Sequence, residues 1–249
     1  MQGFSGRVAL VTGGSRGIGA ATATALAGLG ADVALTFVRA REEARAVVLQ
    51  CESLGVHAVA LQSDLRQPDA ADELCERVRV ALGPPSILVC SAGHSLHALA
   101  EDTSASELTD MLHVHVHAPF RIARAVAPAM RRYGFGRIVF VSSVWGLVGA
   151  ANESAYATAK GALVALTRSL AKEYADTPVT VNCVAPGATE SGMIAHLSTG
   201  ERDELCTRIP LQRIGTADEV AAGICFLCHP SSAAFTGQVL AIAGGLELV

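Results

Sequence analysis

Residues 7–19, RVALVTGGSRGIG, constrain the fold more than any other stretch of the chain. A short β-rich apolar run passes at once into Gly13-Gly14-Ser15-Arg16-Gly17-Ile18-Gly19, and an alanine-rich helical segment, AATATALAGLG, follows. Strand, glycine turn and helix together give a glycine-rich pattern its physical meaning. Glycines let the backbone approach a pyrophosphate, and the helix N-terminus offers unpaired N–H groups and the positive end of a dipole. A bare glycine pattern is weak evidence. Here T-G-x-x-x-G-x-G lies between a strand and a helix, with a second strand, VALTF, at 33–37.

The rest of the chain repeats the alternation. A helix over 40–54 precedes the strand HAVALQ, and a helix over 69–82 leads through Gly83-Pro84-Pro85 to the strand SILVC. A kinked or broken helix spans 104–132, followed by a strand at 137–142, a helix to 176 and the strand VTVNCVA. A polar, irregular stretch at 188–215 reads as a lid, before a helix at 217–229 and a last strand, QVLAIAGG. Alternating βαβα order predicts an α/β fold with one doubly wound parallel sheet, a Rossmann fold, in a single domain. The 51% hydrophobic content supplies a core for a sheet covered on both faces.

A formal net charge of −4 argues against nucleic acid or an anionic membrane surface as partner. No apolar run reaches the roughly 18 residues that span a bilayer. The N-terminal apolar run is too short for a signal peptide and ends in a glycine turn, so a cytoplasmic protein is expected. Seven cysteines, an odd number scattered through helices and strands, read as buried thiols of a reducing compartment. Cys225-Phe-Leu-Cys228-His229 matches a haem-attachment pattern, but it ends an apolar helix, and no haem is expected.

Tyr156 and Lys160 are four apart in a helical segment, which stacks phenol and ammonium on one face. Ser143 ends the buried run RIVFVSS, so a strand end and the next helix converge. Serine, tyrosine and lysine together suit a proton donor facing a carbonyl oxygen, with the cation favouring the phenolate. A bound cationic cofactor ring is expected to contribute to that shift. The alternative is a surface Tyr-Lys pair with an unrelated serine. After the second strand no acid precedes Glu42, whereas an acid there selects NAD by binding the adenosine ribose. Arg16 and Arg39 are available instead for the 2′-phosphate of NADP; the alternative is two solvated charges. Asp64, at the carboxyl end of the third strand, is placed to accept from an adenine amino group or to cap the following helix.

TGGSRGIG at 12–19, Ser143, Tyr156-x-x-x-Lys160 and Pro186-Gly187 occur in order along nearly the whole chain. With GRIVFVSS, TVNCVAPGATES and PLQRIGTADEVA, they make it resemble a short-chain dehydrogenase/reductase, most closely the 3-oxoacyl-[acyl-carrier-protein] reductases. The resemblance implies that Tyr156 donates a proton, Ser143 orients the carbonyl, and Lys160 binds the nicotinamide ribose and lowers the tyrosine pKa. It implies that Gly13, Ser15, Arg16, Gly17, Ile18 and Gly19 line the pyrophosphate, and that Asp64 and Leu65 flank the adenine. Ser91, Ala92 and Gly93 would follow the adenosine side, and Pro186, Gly187, Thr189 and Ser191 would hold the carboxamide. It also implies a homotetramer and an acyl carrier protein as partner.

The chain departs from the family in two places. Cys90-Ser91-Ala92-Gly93 stands for Asn-Asn-Ala-Gly, so two amides that brace the sheet are gone. His115 replaces the asparagine of the proton relay; it either fills the space, leaving the relay to the main-chain carbonyl, or shuttles protons itself. His113, His115 and His117 alternate, so only His113 and His117 share a helix face, and no metal site is expected. Around the site, HSLH at 94–97, VWGL at 144–147 and the 188–210 stretch mix apolar and polar groups, which suits an acyl or polyketide ketone better than a sugar. Arg131, Arg132, Arg168 and Lys172 are candidates for a basic patch facing an acidic carrier, or are ordinary solvated helix charges.

Overall fold

The computed structural model describes residues 3–190, 192, 194 and 197–246. Its first half is β1 (Val8–Thr12), α1 (Gly17–Gly28), β2 (Asp32–Phe37), α2 (Arg41–Ser53), β3 (Ala58–Gln62), α3 (Ala70–Ala81) and β4 (Ile87–Cys90). Then come α4 (Ala105–Leu112), α5 (Ala118–Arg132), β5 (Gly136–Val141), α6 (Trp145–Val148), α7 (Ser154–Glu173) and β6 (Val179–Pro186). The chain closes with α8 (Thr199–Arg208), α9 (Ala217–Cys228) and β7 (Val239–Ile242).

The seven strands form one parallel sheet in the order β3-β2-β1-β4-β5-β6-β7. Strand order reverses between β1 and β4, and in open α/β sheets such a reversal opens a ligand crevice at the carboxyl ends of the strands. The inner strands are buried on both faces, which is why they read as continuous apolar runs rather than alternating ones. Side chains still alternate in direction. Ala9, Val11, Leu35, Val89 and Val139 pack with α1, α2 and α9, whereas Leu10, Ala34, Leu88, Ile138 and Phe140 pack with α3, α5 and α7. Truncating a fully buried leucine such as Leu10 to alanine is expected to cost about 2–5 kcal/mol.

The broken helix expected over 104–132 is a π-helical turn, His113–His117, joining α4 to α5. Single π turns inside α-helices recur at functional sites. The stretch read as irregular contains α8, whose N-terminus is a capping box between Ser198 and Glu201. α8 buries no residue, so it has no apolar stripe, and only Ser198-x-x-Glu201 signals it in the sequence. Ile209 and the partly buried Leu205 and Ile214 anchor this region against Val144 and Trp145. Among the described residues no helix is long and apolar enough to cross a membrane.

Candidate active site

The glycine turn is held by contacts that exclude other side chains. Gly13 and Gly17 have φ of 67° and 56°, the left-handed region that glycine adopts without strain. A Cβ at Gly13 would lie 2.7 Å from Ala92 Cα, one at Gly14 2.6 Å from Leu35 Cβ, and one at Gly19 would overlap the Gly13 carbonyl. The Gly13 N–H donates to Thr36 Oγ1 and that of Gly14 to the Thr36 carbonyl, both at 2.9 Å. Arg16 caps α1 in extended conformation without a side-chain cap bond, and no acid lies in the first turn. The first N–H groups and the dipole of α1 therefore face the crevice without a competing carboxylate.

The turn after β4, where the two amides are absent, is tied to β1 by a contact the sequence does not reveal. Thr12 Oγ1, at the end of β1, accepts from the N–H groups of Ser91 at 3.2 Å and Ala92 at 3.1 Å. One hydroxyl thus ties the glycine turn to the end of β4. On the far side of β1, Leu65 is buried and Asp64 is gripped by Arg66, while Arg16 and Arg39 are exposed.

Ser143, Tyr156 and Lys160 converge, all three buried, at the carboxyl end of β5. Ser142 Oγ donates to the Lys160 carbonyl at 2.7 Å, and a Cβ at Gly146 would lie 2.7 Å from the Lys160 carbonyl carbon, so α7 lies hard against the strand end. Ser143 Oγ accepts from the Trp145 N–H at 3.2 Å, and the serine hydroxyl works to lower the pKa of the neighbouring phenol. The Lys160 ammonium lies 5.5 Å from the phenol centroid and donates to the Val141 carbonyl at 2.8 Å.

The electrostatics correct one expectation. In the protein by itself Tyr156 is not acidified: burial pushes its pKa up to about 12, and Glu153 adds to the rise against the Ser143 hydroxyl. Burial lowers Lys160 to about 8. With its ammonium turned to a backbone carbonyl, Lys160 does not offset the desolvation of the phenol.

His115 is 1% exposed, its ring edge-on to Tyr156 with centroids 5.6 Å apart. It fills the space over Gly93, where any Cβ would overlap the imidazole. Nε2 lies 2.9 Å from the His94 carbonyl and 3.3 Å from the His94 N–H, while Nδ1 has no partner. Burial and the Lys160 cation hold the His115 pKa well below its ordinary value, so the ring is neutral at pH 7. Of the two readings of His115, its surroundings fit a ring that fills the space rather than one that shuttles protons. His113 and His117 do pair, with centroids 4.9 Å apart, and no trio of metal-ligating side chains occurs among the described residues.

At the end of β6, the Val144 N–H donates to the Pro186 carbonyl at 3.0 Å, which brings Pro186 beside the Ser143 loop. Gly187 packs so closely on β7 that a Cβ would lie 2.8 Å from Ala243 Cβ, and buried Thr189 donates to the Gly187 carbonyl at 3.1 Å. Ser191 lies outside the described residues. The basic residues Arg168 and Lys172 sit far along α7 from Tyr156, Lys172 by about 24 Å at 1.5 Å per residue. They therefore belong to the opposite edge of the sheet from the site.

Comparison with known proteins decides the family. Residues 13–247 match the family model described as enoyl-(acyl carrier protein) reductase. The chain is 35% identical over 246 residues, 99% of each protein, to 3-oxoacyl-[acyl-carrier-protein] reductase FabG of Escherichia coli. The chain belongs to the short-chain dehydrogenase/reductase family. Among solved short-chain dehydrogenase/reductase structures, one from Burkholderia cenocepacia in complex with NADP superposes with a TM-score of 0.91 at 37% identity, covering 98% of this chain and 99% of that one. A 3-oxoacyl (acyl-carrier-protein) reductase from Agrobacterium tumefaciens with NADP bound gives 0.93 at 31% identity, covering 98% and 95%.

Proposed function

We propose that this protein reduces a ketone to a secondary alcohol with NADPH, Tyr156 donating the proton, and that its substrate is a 3-oxoacyl thioester of fatty-acid or polyketide synthesis. The observation that carries the reading is the buried Ser143–Tyr156–Lys160 cluster at the carboxyl edge of a sheet whose glycine turn admits backbone only. The turn and the N-terminus of α1 fit a pyrophosphate, and exposed Arg16 and Arg39 fit a 2′-phosphate. The cofactor these residues would hold is NADPH, which would supply the hydride and, once oxidised, carry positive charge on its nicotinamide ring.

The residues act as follows. Ser143 and Tyr156 present two hydroxyls to one carbonyl oxygen. A phenol held near pKa 12 is fully protonated at neutral pH, so the donor is loaded before reaction. Positive charge beside it then lowers its pKa when the proton must leave. Lys160 uses one of three N–H donors on Val141, which leaves two for the ribose hydroxyls. His115, neutral and packed on Tyr156, fixes the π turn and the phenol rather than carrying the proton. Pro186, Gly187, Thr189 and Ser191 hold the carboxamide, and residues 188–215 close over the site as a lid.

The substrate wall is apolar. Leu96 and Trp145 pack around Tyr156 and Met111, and Leu99, Leu147 and Val148 remain exposed. This favours an acyl chain over a polyol. The acyl group reaches the site from an acyl carrier protein in the cytoplasm, and the relatives rather than the distant basic residues support that partner. A homotetramer fits the exposed apolar groups on two faces, Leu108 and Phe120 on α4–α5, and Phe226, Phe235 and Leu240 beside β7.

NADPH consumption with free and carrier-bound acetoacetyl thioester, ethyl acetoacetate, crotonyl thioester and a polyol panel tests the reading. Reduction of the acetoacetyl thioesters alone is expected. Turnover confined to crotonyl thioester would replace it with enoyl reduction, and turnover confined to polyols with a free-alcohol dehydrogenase. Tight NADPH binding with no turnover would mark a binding protein.

A further inference from the structure

We infer that Arg66 is a positioning residue for cofactor recognition, holding the Asp64 carboxylate in the orientation that reads the exocyclic amine of adenine. The inference rests on the NADP reading above. The chain leaving β3 stays tied to the end of β2, where the Ser63 N–H donates to the Phe37 carbonyl at 2.9 Å, and Asp64 follows at the carboxyl edge of the sheet.

There the carboxylate is clamped from a single residue. Arg66 Nε lies 2.9 Å from Oδ1 and 3.2 Å from Oδ2, Nη2 lies 2.5 Å from Oδ2, and the Arg66 backbone N–H donates to Oδ1 at 3.1 Å. A second tie, from the Gln67 N–H to the Asp64 carbonyl at 3.0 Å, closes the turn. An ionised carboxylate has about four acceptor sites, so a fork and one amide still leave room for an amine donor. Side chains 44% and 27% exposed place the pair at the surface, where an ion pair contributes little to stability. What the clamp supplies is a fixed direction, since a free aspartate would have to be ordered on binding.

The Arg66 fork, and weakly Arg39, hold the Asp64 carboxyl below its ordinary range, so the clamped group is an ionised acceptor.

Dissociation constants measured by nicotinamide fluorescence, without turnover, test this. The ligands are NADPH, NADH and the hypoxanthine analogue of NADPH, which carries a carbonyl oxygen in place of the amine. The proteins are the native chain, Arg66→Ala, Arg66→Lys and Asp64→Asn. A charged hydrogen bond to the amine predicts an adenine preference of about tenfold or more for the native chain. Arg66→Ala is expected to reduce it to about threefold or less, and Arg66→Lys, a point charge without a fork, to restore it only in part. The NADPH-over-NADH ratio is expected to stay unchanged in both. An unaltered adenine preference in Arg66→Ala overturns the inference if Asp64→Asn loses it. If Asp64→Asn keeps the preference too, the adenine role of Asp64 fails with it. Tighter NADPH binding by Arg66→Ala would make Arg66 a plug rather than a clamp. A fall in the NADPH-over-NADH ratio would make it a phosphate reader. No NADPH binding by the native chain would defeat the cofactor reading beneath both.

Discussion

Strand β5 has a buried cation at each end, and the two are used in opposite ways. At its amino end Arg137 is 4% exposed, donates to the carbonyls of Gly136 at 2.8 Å and Pro178 at 3.3 Å, and stacks on Phe135 at 4.3 Å. The same ring lies 3.4 Å from the Arg7 guanidinium carbon. At its carboxyl end Lys160 is also 4% exposed and donates to the Val141 carbonyl. Neither has a carboxylate partner among the described residues. Burial lowers both, but a guanidinium starts so high that it stays charged, whereas Lys160 falls to about 8, within reach of a working pH. Charge that cannot change, laid on an aromatic face, holds the base of the sheet together. Charge that can change stands beside a phenol and a hydroxyl.

Four substitutions break or sharpen that contrast. Tyr156→Phe has the largest expected effect: turnover falls by about 10²–10⁴-fold, the range for a lost general acid. NADPH binding stays within a few-fold by fluorescence titration, and unchanged turnover would remove the proton-donor role.

Lys160→Met comes next, with most turnover lost but stability kept or raised at pH 7. Because the folded pKa of Lys160 lies below its unfolded value, the unfolded chain binds more protons between about pH 8 and 10.5. Native stability from this residue therefore rises with pH across that window, and below it the buried cation is a burden. Denaturant titrations of the native chain and Lys160→Met, compared at pH 7 and 9.5, should show the variant's advantage shrinking as pH rises. An advantage independent of pH would mean that Lys160 does not titrate there.

Arg137→Ala is expected to show the converse, a loss of about 2–3 kcal/mol from the removed ring contact and two orphaned carbonyls, with kcat unchanged. A fall in kcat at full folding would show that the two ends of β5 are coupled. His115→Asn is expected to have the smallest effect on catalysis. With a neutral imidazole that packs rather than titrates, kcat should change by no more than about threefold and the pH–rate profile around neutral pH should keep its shape. Loss of a limb from that profile would show the ring moving protons.

The glycine turn, the Ser143/Tyr156/Lys160 grouping and the alternation of strands with helices were legible because each is enforced locally: Gly13 and Gly17 by φ, Tyr156 and Lys160 by helical spacing, the strands by apolar runs. The break before Phe120 was visible as an interruption, though not as a π turn. What could not be read depends on which distant group the fold brings near. Thr12 reaches Ser91 and Ala92 across 79 and 80 residues. Lys160 turns to a carbonyl 19 residues earlier, so the phenol stays unacidified. Arg66 was missed for another reason: an arginine two residues after an aspartate is common surface sequence, and only the clamp geometry distinguishes it.

The central claim is that the chain by itself keeps Tyr156 protonated and that the positive charge NADP⁺ would bring to the site acidifies it. The chain has three tyrosines, so ¹³Cζ-tyrosine NMR, with Tyr156 assigned by its phenylalanine variant, reads its ionisation directly. The account predicts titration well above pH 10 in the free protein and a fall of about two units or more on saturation with NADP⁺, a change of roughly 3 kcal/mol. A Tyr156 signal that titrates at the same pH with and without NADP⁺ would contradict it.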